Sequence, residues 1–139
     1  MPDLLPVMEN NPNNLLSAIF VTFSGNCKKA LTFYQTCFGG LLRFEAFEED
    51  LEGFTEQPIV SGSLVSDRIV IHGSDLVHNE GRKLGNYISV FLSCNNAAER
   101  KELADKLKSG KKTFADISDY DQKLLEITDA FDVRWVLAV

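Results

Sequence analysis

Two stretches of the chain share one pattern of apolar and polar positions. Residues 17–38 (SAIFVTFSGNCKKALTFYQTCF) read as a strand, an Asn-bearing turn and an amphipathic helix, and residues 87–108 (YISVFLSCNNAAERKELADKLK) repeat that order at an offset of 70. Each is followed by three short extended segments, so the chain reads as a duplicated β-α-β-β-β unit. Period-two alternation predicts the first strand over 17–24, where Ile19, Val21 and Phe23 interleave with Phe20, Thr22 and Ser24. Both sets are largely apolar, which predicts a strand covered on both sides. Asn26 stands at the N-cap of a helix over 27–38, whose buried stripe is Cys27, Ala30, Leu31, Tyr34 and Phe38. Gly39-Gly40 ends it, because glycine takes the left-handed turn a helix C-terminus needs.

Further strands are predicted over 41–47, 59–65 and 68–73, the last two joined by a tight turn at Ser66-Asp67. An acidic loop (Glu48, Glu49, Asp50, Glu52, Glu56) precedes Pro58 and reads as a solvated connector. The second unit opens with a strand over 86–94. Tyr87, Ser89, Phe91 and Ser93 face one way; Ile88, Val90 and Leu92 face the other. Asn95-Asn96 caps a helix over 97–108 that turns Leu103 and Leu107 inward and stops at Ser109-Gly110. Strands over 112–118, 122–128 and 133–138 complete the unit. The expected organisation is an arm over 1–16 and one α+β domain over 17–139, made of module one (17–74), a connector (75–85) and module two (86–139).

Composition narrows the function. A chain of 139 residues is one domain by size, able to bury roughly two-thirds of its unfolded surface. Its 45% hydrophobic and 24% charged residues are ordinary globular values. A net charge of −6 argues against nucleic acid, and Lys28/Lys29 and Lys111/Lys112 are too sparse to reverse that. No apolar run reaches the length of a membrane span. The opening MPDLLPVMENNPNN lacks the basic and apolar regions of a secretory signal. Cys27, Cys37 and Cys94 show no CxxC spacing and read as small buried hydrophobes in a reducing cytoplasm.

The run VTFSGNCKKALTFYQTCFGG resembles the opening of the vicinal oxygen chelate superfamily, which includes glyoxalases, bleomycin-resistance proteins and extradiol dioxygenases. It is most similar to the PhnB-like branch, with its Gly-Asn turn, Ala-x-x-Phe-Tyr helix and Phe-Gly-Gly ending. The closing TDAFDVRWVLAV resembles the last hairpin of the same branch. The resemblance spans about residues 17–139 and implies two modules that each curl into half of a U-shaped mixed sheet around a cleft, helices outside. It implies homodimers too, since modules commonly pair within or between chains. In enzymatic members a divalent metal, held by His, Gln or Glu, binds vicinal oxygens of the substrate.

Carried over residue by residue, that metal site is lost. Counting back from Asn26 puts the first-strand ligand position at Ile19, and the same count from Asn96 puts the fifth-strand position at Ser89. The third strand offers Ser61 or Ser63, depending on register, and the last strand Val136. Aliphatic side chains have no lone pair, and serine hydroxyls are weak ligands beside carboxylates and imidazoles. The only histidines, His72 and His78, show no metal spacing, and His72 reads as a surface or satisfied strand residue. No metal and no cofactor are expected.

A cavity without a metal would be walled by Ile19, Val21, Phe23, Ser61, Ser63, Ser89, Phe91 and Ser93, an apolar surface with a few hydroxyls suited to a small molecule. The same residues also suit strands that simply meet over a packed core. Arg134 shares parity with Val136, so its guanidinium either holds a ligand carboxylate or phosphate or pairs with Asp129, Asp132 or Glu126. Trp135 belongs to the helix-side core. Tyr120 and Asp121 read either as a lid pair or as a plain hairpin turn. Three functions follow as expectations: a metal-free cytoplasmic binding protein for a small molecule, a metal-dependent glyoxalase- or dioxygenase-type enzyme with non-standard ligands, or a structural or regulatory homodimer.

Overall fold

A computed structural model describes residues 17–47, 58–75, 82–109 and 123–139. The expected arm, the acidic loop, His78, most of the connector, the strand over 112–118 and Tyr120-Asp121 lie outside the described residues. The chain divides between Arg82 and Lys83 into two compact units.

In the first unit, β1 (Ile19–Thr22) leads to helix α1 (Cys27–Phe38), followed by β2 (Leu41–Ala46), β3 (Ile59–Val65) and β4 (Val70–Ser74). The strands form one mixed sheet in the order β1-β4-β3-β2, with β1 parallel to β4 and the other pairs antiparallel. α1 keeps its expected bounds, and Cys27, Ala30, Leu31 and Tyr34 are buried against the sheet. It stops at Gly39, whose N–H donates to Gln35 O at 2.8 Å from a positive φ of 71°. The β3–β4 turn is closed by Ser66, whose hydroxyl donates to Ile69 O (2.8 Å) and accepts from Ile69 N–H (3.0 Å).

Two glycines set how closely α1 approaches. Gly62 and Gly73 lie opposite each other across β3 and β4. A Cβ at Gly62 would come within 2.9 Å of Leu31 Cδ1, and one at Gly73 within 2.7 Å of Phe23 Cε2; both would also meet Cys27 Sγ at 3.2 Å. Glycine is therefore required by space, so that the first turn of the helix can sit directly on the sheet.

Among its described residues the second unit runs β5 (Val90–Ser93), α2 (Ala97–Lys108), β6 (Leu124–Thr128) and β7 (Arg134–Ala138). Its described strands pair as β5-β7-β6, with β5 parallel to β7 as β1 is to β4. Asn96 caps α2 as expected, its side chain accepting from Glu99 N–H at 2.8 Å. Leu92, Leu125, Ile127, Trp135 and Leu137 alternate onto the buried face, and Leu103, Ala104 and Leu107 of α2 are buried as well. Trp135 is helix-side core, as its parity indicated. An α+β chain of two tandem modules is thus the architecture the pattern pointed to.

Several details differ from the sequence reading. Phe38 of the expected buried stripe and Cys37 are only half-buried, because they lie in the last turn of α1 beside the exposed Gly39-Gly40. β1 is covered on one side only, because Phe20 is 66% exposed. The side chain of Asn26 makes no capping bond. The carboxylate of Asp75, 48 residues beyond Cys27, takes that role by accepting from Cys27 N–H at 2.9 Å. β1, β4 and β5 are also shorter than the alternation suggested, since a strand ends where its ladder ends rather than where its apolar run does.

Candidate functional site

Cross-strand partners project to the same side of a sheet, so the registers sort every side chain into a helix-bearing face and an open face. In the first sheet Gly62 and Gly73 lie under α1. Val21, paired with Gly73, and Phe44, paired with Gly62, therefore share the helix side, as do Ile19, Ile71, Leu64 and Leu42 one alternation away. The open face carries Phe20, His72, Ser63 and Arg43 in one continuous row. Thr22, Ser74, Ser61 and Glu45 flank it on one side, and Val70, Val65 and Leu41 on the other. In the second sheet the open face carries Phe91, Val136 and Glu126, with Ser93, Ala138 and Leu124 beside them and Arg134 opposite Thr128.

The candidate residues therefore do not share one face. Ser61 and Ser63 lie on the open face of the first sheet, and Phe91 and Arg134 on that of the second. Ser89 sits immediately before β5. Ile19 and Val21 face α1, and Phe23, fully buried, packs its ring against Gly73 under the helix. Expecting these three on the inner face was off by one residue.

The origin of that slip is a turn of unequal length. Phe23 N–H donates to Ser74 O (2.8 Å) just past the last β1–β4 pair, Thr22 with Ser74. Cys94 N–H donates to Ala138 O (2.7 Å) just past the last β5–β7 pair, Ser93 with Ala138. Phe23 thus corresponds to Cys94 and Phe20 to Phe91, an offset of 71, whereas Cys27 and Ala97, which open the helices, differ by 70. Three residues (Ser24-Gly25-Asn26) join strand to helix in the first unit and two (Asn95-Asn96) in the second. Counting back from the asparagines carries that extra residue into the strand, where a shift of one reverses the face. Gly25, at φ 109°, accommodates the longer turn.

Two buried carboxylates hold the ends of the strands. Asp75 accepts from the N–H groups of Gly25 (2.8 Å), Cys27 (2.9 Å) and Ile59 (2.9 Å), which ties β4 to the start of α1 and of β3. Asp129 accepts from Phe131 N–H (2.8 Å), Val133 N–H (3.1 Å) and Trp135 Nε1–H (2.8 Å), which shapes the β6–β7 turn. Both are satisfied by nearby donors and play a structural part. Burial, and then the negative charge of Asp75, push the Cys27 thiol up from 9.0 to about 12, so it is no nucleophile at neutral pH. None of the three cysteines forms a disulfide.

Arg134 pairs with Glu126 on the open face of its sheet, one of the partners named from sequence. Ser63 is the unusual residue. It is 1% exposed, and its hydroxyl finds no hydrogen-bond partner. Sequence reasoning missed its neighbours Phe20, Arg43 and His72, because only the pairing of four strands brings them into line.

A divalent metal of the family's kind needs several His or carboxylate donors together. Among the described residues no three His, Cys, Asp or Glu side chains come close enough to hold one. Among the described residues the open face of the first sheet offers one imidazole (His72) and one carboxylate (Glu45), and that of the second one carboxylate (Glu126) held by Arg134, fewer donors than such a metal needs.

No protein-family model matches the sequence, nor does any curated protein. Solved structures do match. Protein PA1353 from Pseudomonas aeruginosa is 22% identical at a TM-score of 0.68, over 90% of this chain and 97% of that one. The PhnB protein from Bacillus cereus, which bears the provisional name 3-demethylubiquinone-9 3-methyltransferase, is 18% identical at a TM-score of 0.67, over 89% and 98%. A gene product from Arabidopsis thaliana is 17% identical at a TM-score of 0.57, over 91% and 98%. Identities this low speak for the fold, and on that ground the chain has a PhnB-like fold of the glyoxalase/bleomycin-resistance type.

Proposed function

We propose that the protein is a metal-free small-molecule-binding protein that uses the open faces of its sheets. The observation that supports this reading is a pair of equivalent residues: Phe20 and Phe91 project from the first strand of each module, 66% and 60% exposed, away from the helices. Large exposed aromatic side chains at matching positions in the two sheets suit a surface that an apolar ligand covers. Hydroxyls at Thr22, Ser61, Ser63 and Ser93 add a few polar contacts on the same faces. Among the described residues no helix is long and apolar enough to cross a membrane, and three cysteines without a disulfide accord with a cytoplasmic location.

A thermal-shift screen of small apolar and amphiphilic molecules, paired with elemental analysis of protein purified without chelator, tests the reading. A true ligand at a hundredfold excess over its dissociation constant stabilises by about 2.7 kcal/mol. Stoichiometric Mn, Fe, Ni or Zn would instead favour the metal-dependent alternative, and a screen without any shift contradicts the binding reading. A homodimer is a second reading, favoured by the exposed Leu84, Tyr87 and Ile88 at the start of the second unit. Light scattering at micromolar concentration decides it, a monomer being the adverse result.

A further inference from the structure

The row across the open face of the first sheet has the makings of an oxyanion subsite. Ser63 stands at its centre, paired with His72 of β4 on one side and Arg43 of β2 on the other, while Phe20 of β1 lies beyond His72. Adjacent strands lie about 4.8 Å apart, which places an imidazole and a guanidinium within reach of one small group seated over Ser63. Ser63 is 1% exposed, and its buried hydroxyl has no hydrogen-bond partner. A buried donor left in that state is unfavourable until something accepts from it. Among the described residues no ion pair engages Arg43.

We propose that Ser63, His72 and Arg43 receive the carboxylate of a small amphiphilic acid, and that Phe20 and the neighbouring row of Leu41, Val65 and Val70 take its apolar body. This rests on the reading of the open faces as the ligand surface and names the ligand class for one of them. The site suits a monoanion. Arg43 is the single guanidinium in the row, and Glu45, two residues on and on the same face, opposes a second negative charge. A carboxylate oxygen accepts the Ser63 O–H while the guanidinium fork meets the same group, and the strip beside the row, with Leu41 72% exposed, covers the ligand's hydrocarbon part.

Benzoate and benzamide, alike in shape and differing in charge, are the probes. Titrated into 15N-labelled protein, benzoate is expected to shift the amide resonances of residues 20, 43, 63 and 72, with benzamide at least about tenfold weaker. Ser63→Ala should weaken benzoate about fivefold or more, while leaving the protein as stable as before or slightly more so, since it removes a hydroxyl that bonds nothing. Arg43→Ala should weaken it further, and its exposed position keeps folding intact. Equal binding of the two probes overturns the proposal, as does a Ser63→Ala variant that loses stability yet binds benzoate unchanged. Benzoate shifts confined to the face around Phe91 overturn the subsite but leave the broader binding function standing. Silence from every compound in the wider screen removes both.

Discussion

Asp75 is the residue on which most of the first unit's local geometry converges. Its two oxygens accept three backbone N–H groups, from the β1–α1 turn, the first residue of the helix and the start of β3. Asp75→Ala leaves these donors buried without acceptors and is expected to lower the unfolding free energy by about 3 kcal/mol or more in urea titrations; Asp75→Asn, which keeps one carbonyl, should lose roughly half of that. Losses below about 0.5 kcal/mol for both would show that water replaces the carboxylate. The same carboxylate bears on Cys27. Because burial and Asp75 push that thiol up from 9.0 to about 12, the folded protein keeps a proton that the unfolded chain releases. The stabilising contribution is full below pH 9 and is lost as pH rises toward 12. Stability measured across that interval should fall more steeply for the wild type than for Cys27→Ala. Native Cys27 should also resist iodoacetamide at neutral pH and react only on unfolding.

At the scale of elements, legibility depended on whether a signal was local. Both helices had their bounds written nearby, in asparagines before them and Gly39-Gly40 or Ser109-Gly110 after them, and β3 was bracketed by Pro58 and Ser66. The face of β1 was not legible. Ile19, Val21 and Phe23 are the more apolar set beside Phe20, Thr22 and Ser24, yet apolar residues suit a cavity wall as well as a helix-side core, and only the ladder to β4 shows that this set lies under α1. The asparagine turns looked interchangeable, yet one is a residue longer. Ser63, His72 and Arg43 are far apart in sequence, and their alignment needs two registers at once. The close seating of α1 gives a sharp test. Gly62→Ala and Gly73→Ala push a methyl group into Leu31, Phe23 and Cys27 and should each lower stability by about 1–3 kcal/mol. Gly85→Ala, whose new methyl would meet Tyr87 no closer than 3.4 Å, should stay within about 0.5 kcal/mol in the same denaturation series.

For the whole molecule, the duplicated module is a frame that repeats one exposed position: a phenylalanine at the middle of the first strand, on the side away from the helix. Phe20→Ser and Phe91→Ser should change stability by no more than about 0.5 kcal/mol, because neither ring is packed into a core. They should nevertheless weaken ligand binding several-fold, a separation that a packing role would not give. The most direct test of the account is a nuclear magnetic resonance titration of labelled protein with a library of small apolar and amphiphilic compounds. It predicts side-chain perturbations at alternate positions on the open faces, Phe20, Ser63 and His72 in one sheet or Phe91, Ser93 and Val136 in the other, with Ile19, Leu64 and Ile71 left unmoved. Perturbations centred on the helix-bearing residues, or none from any compound, would contradict it.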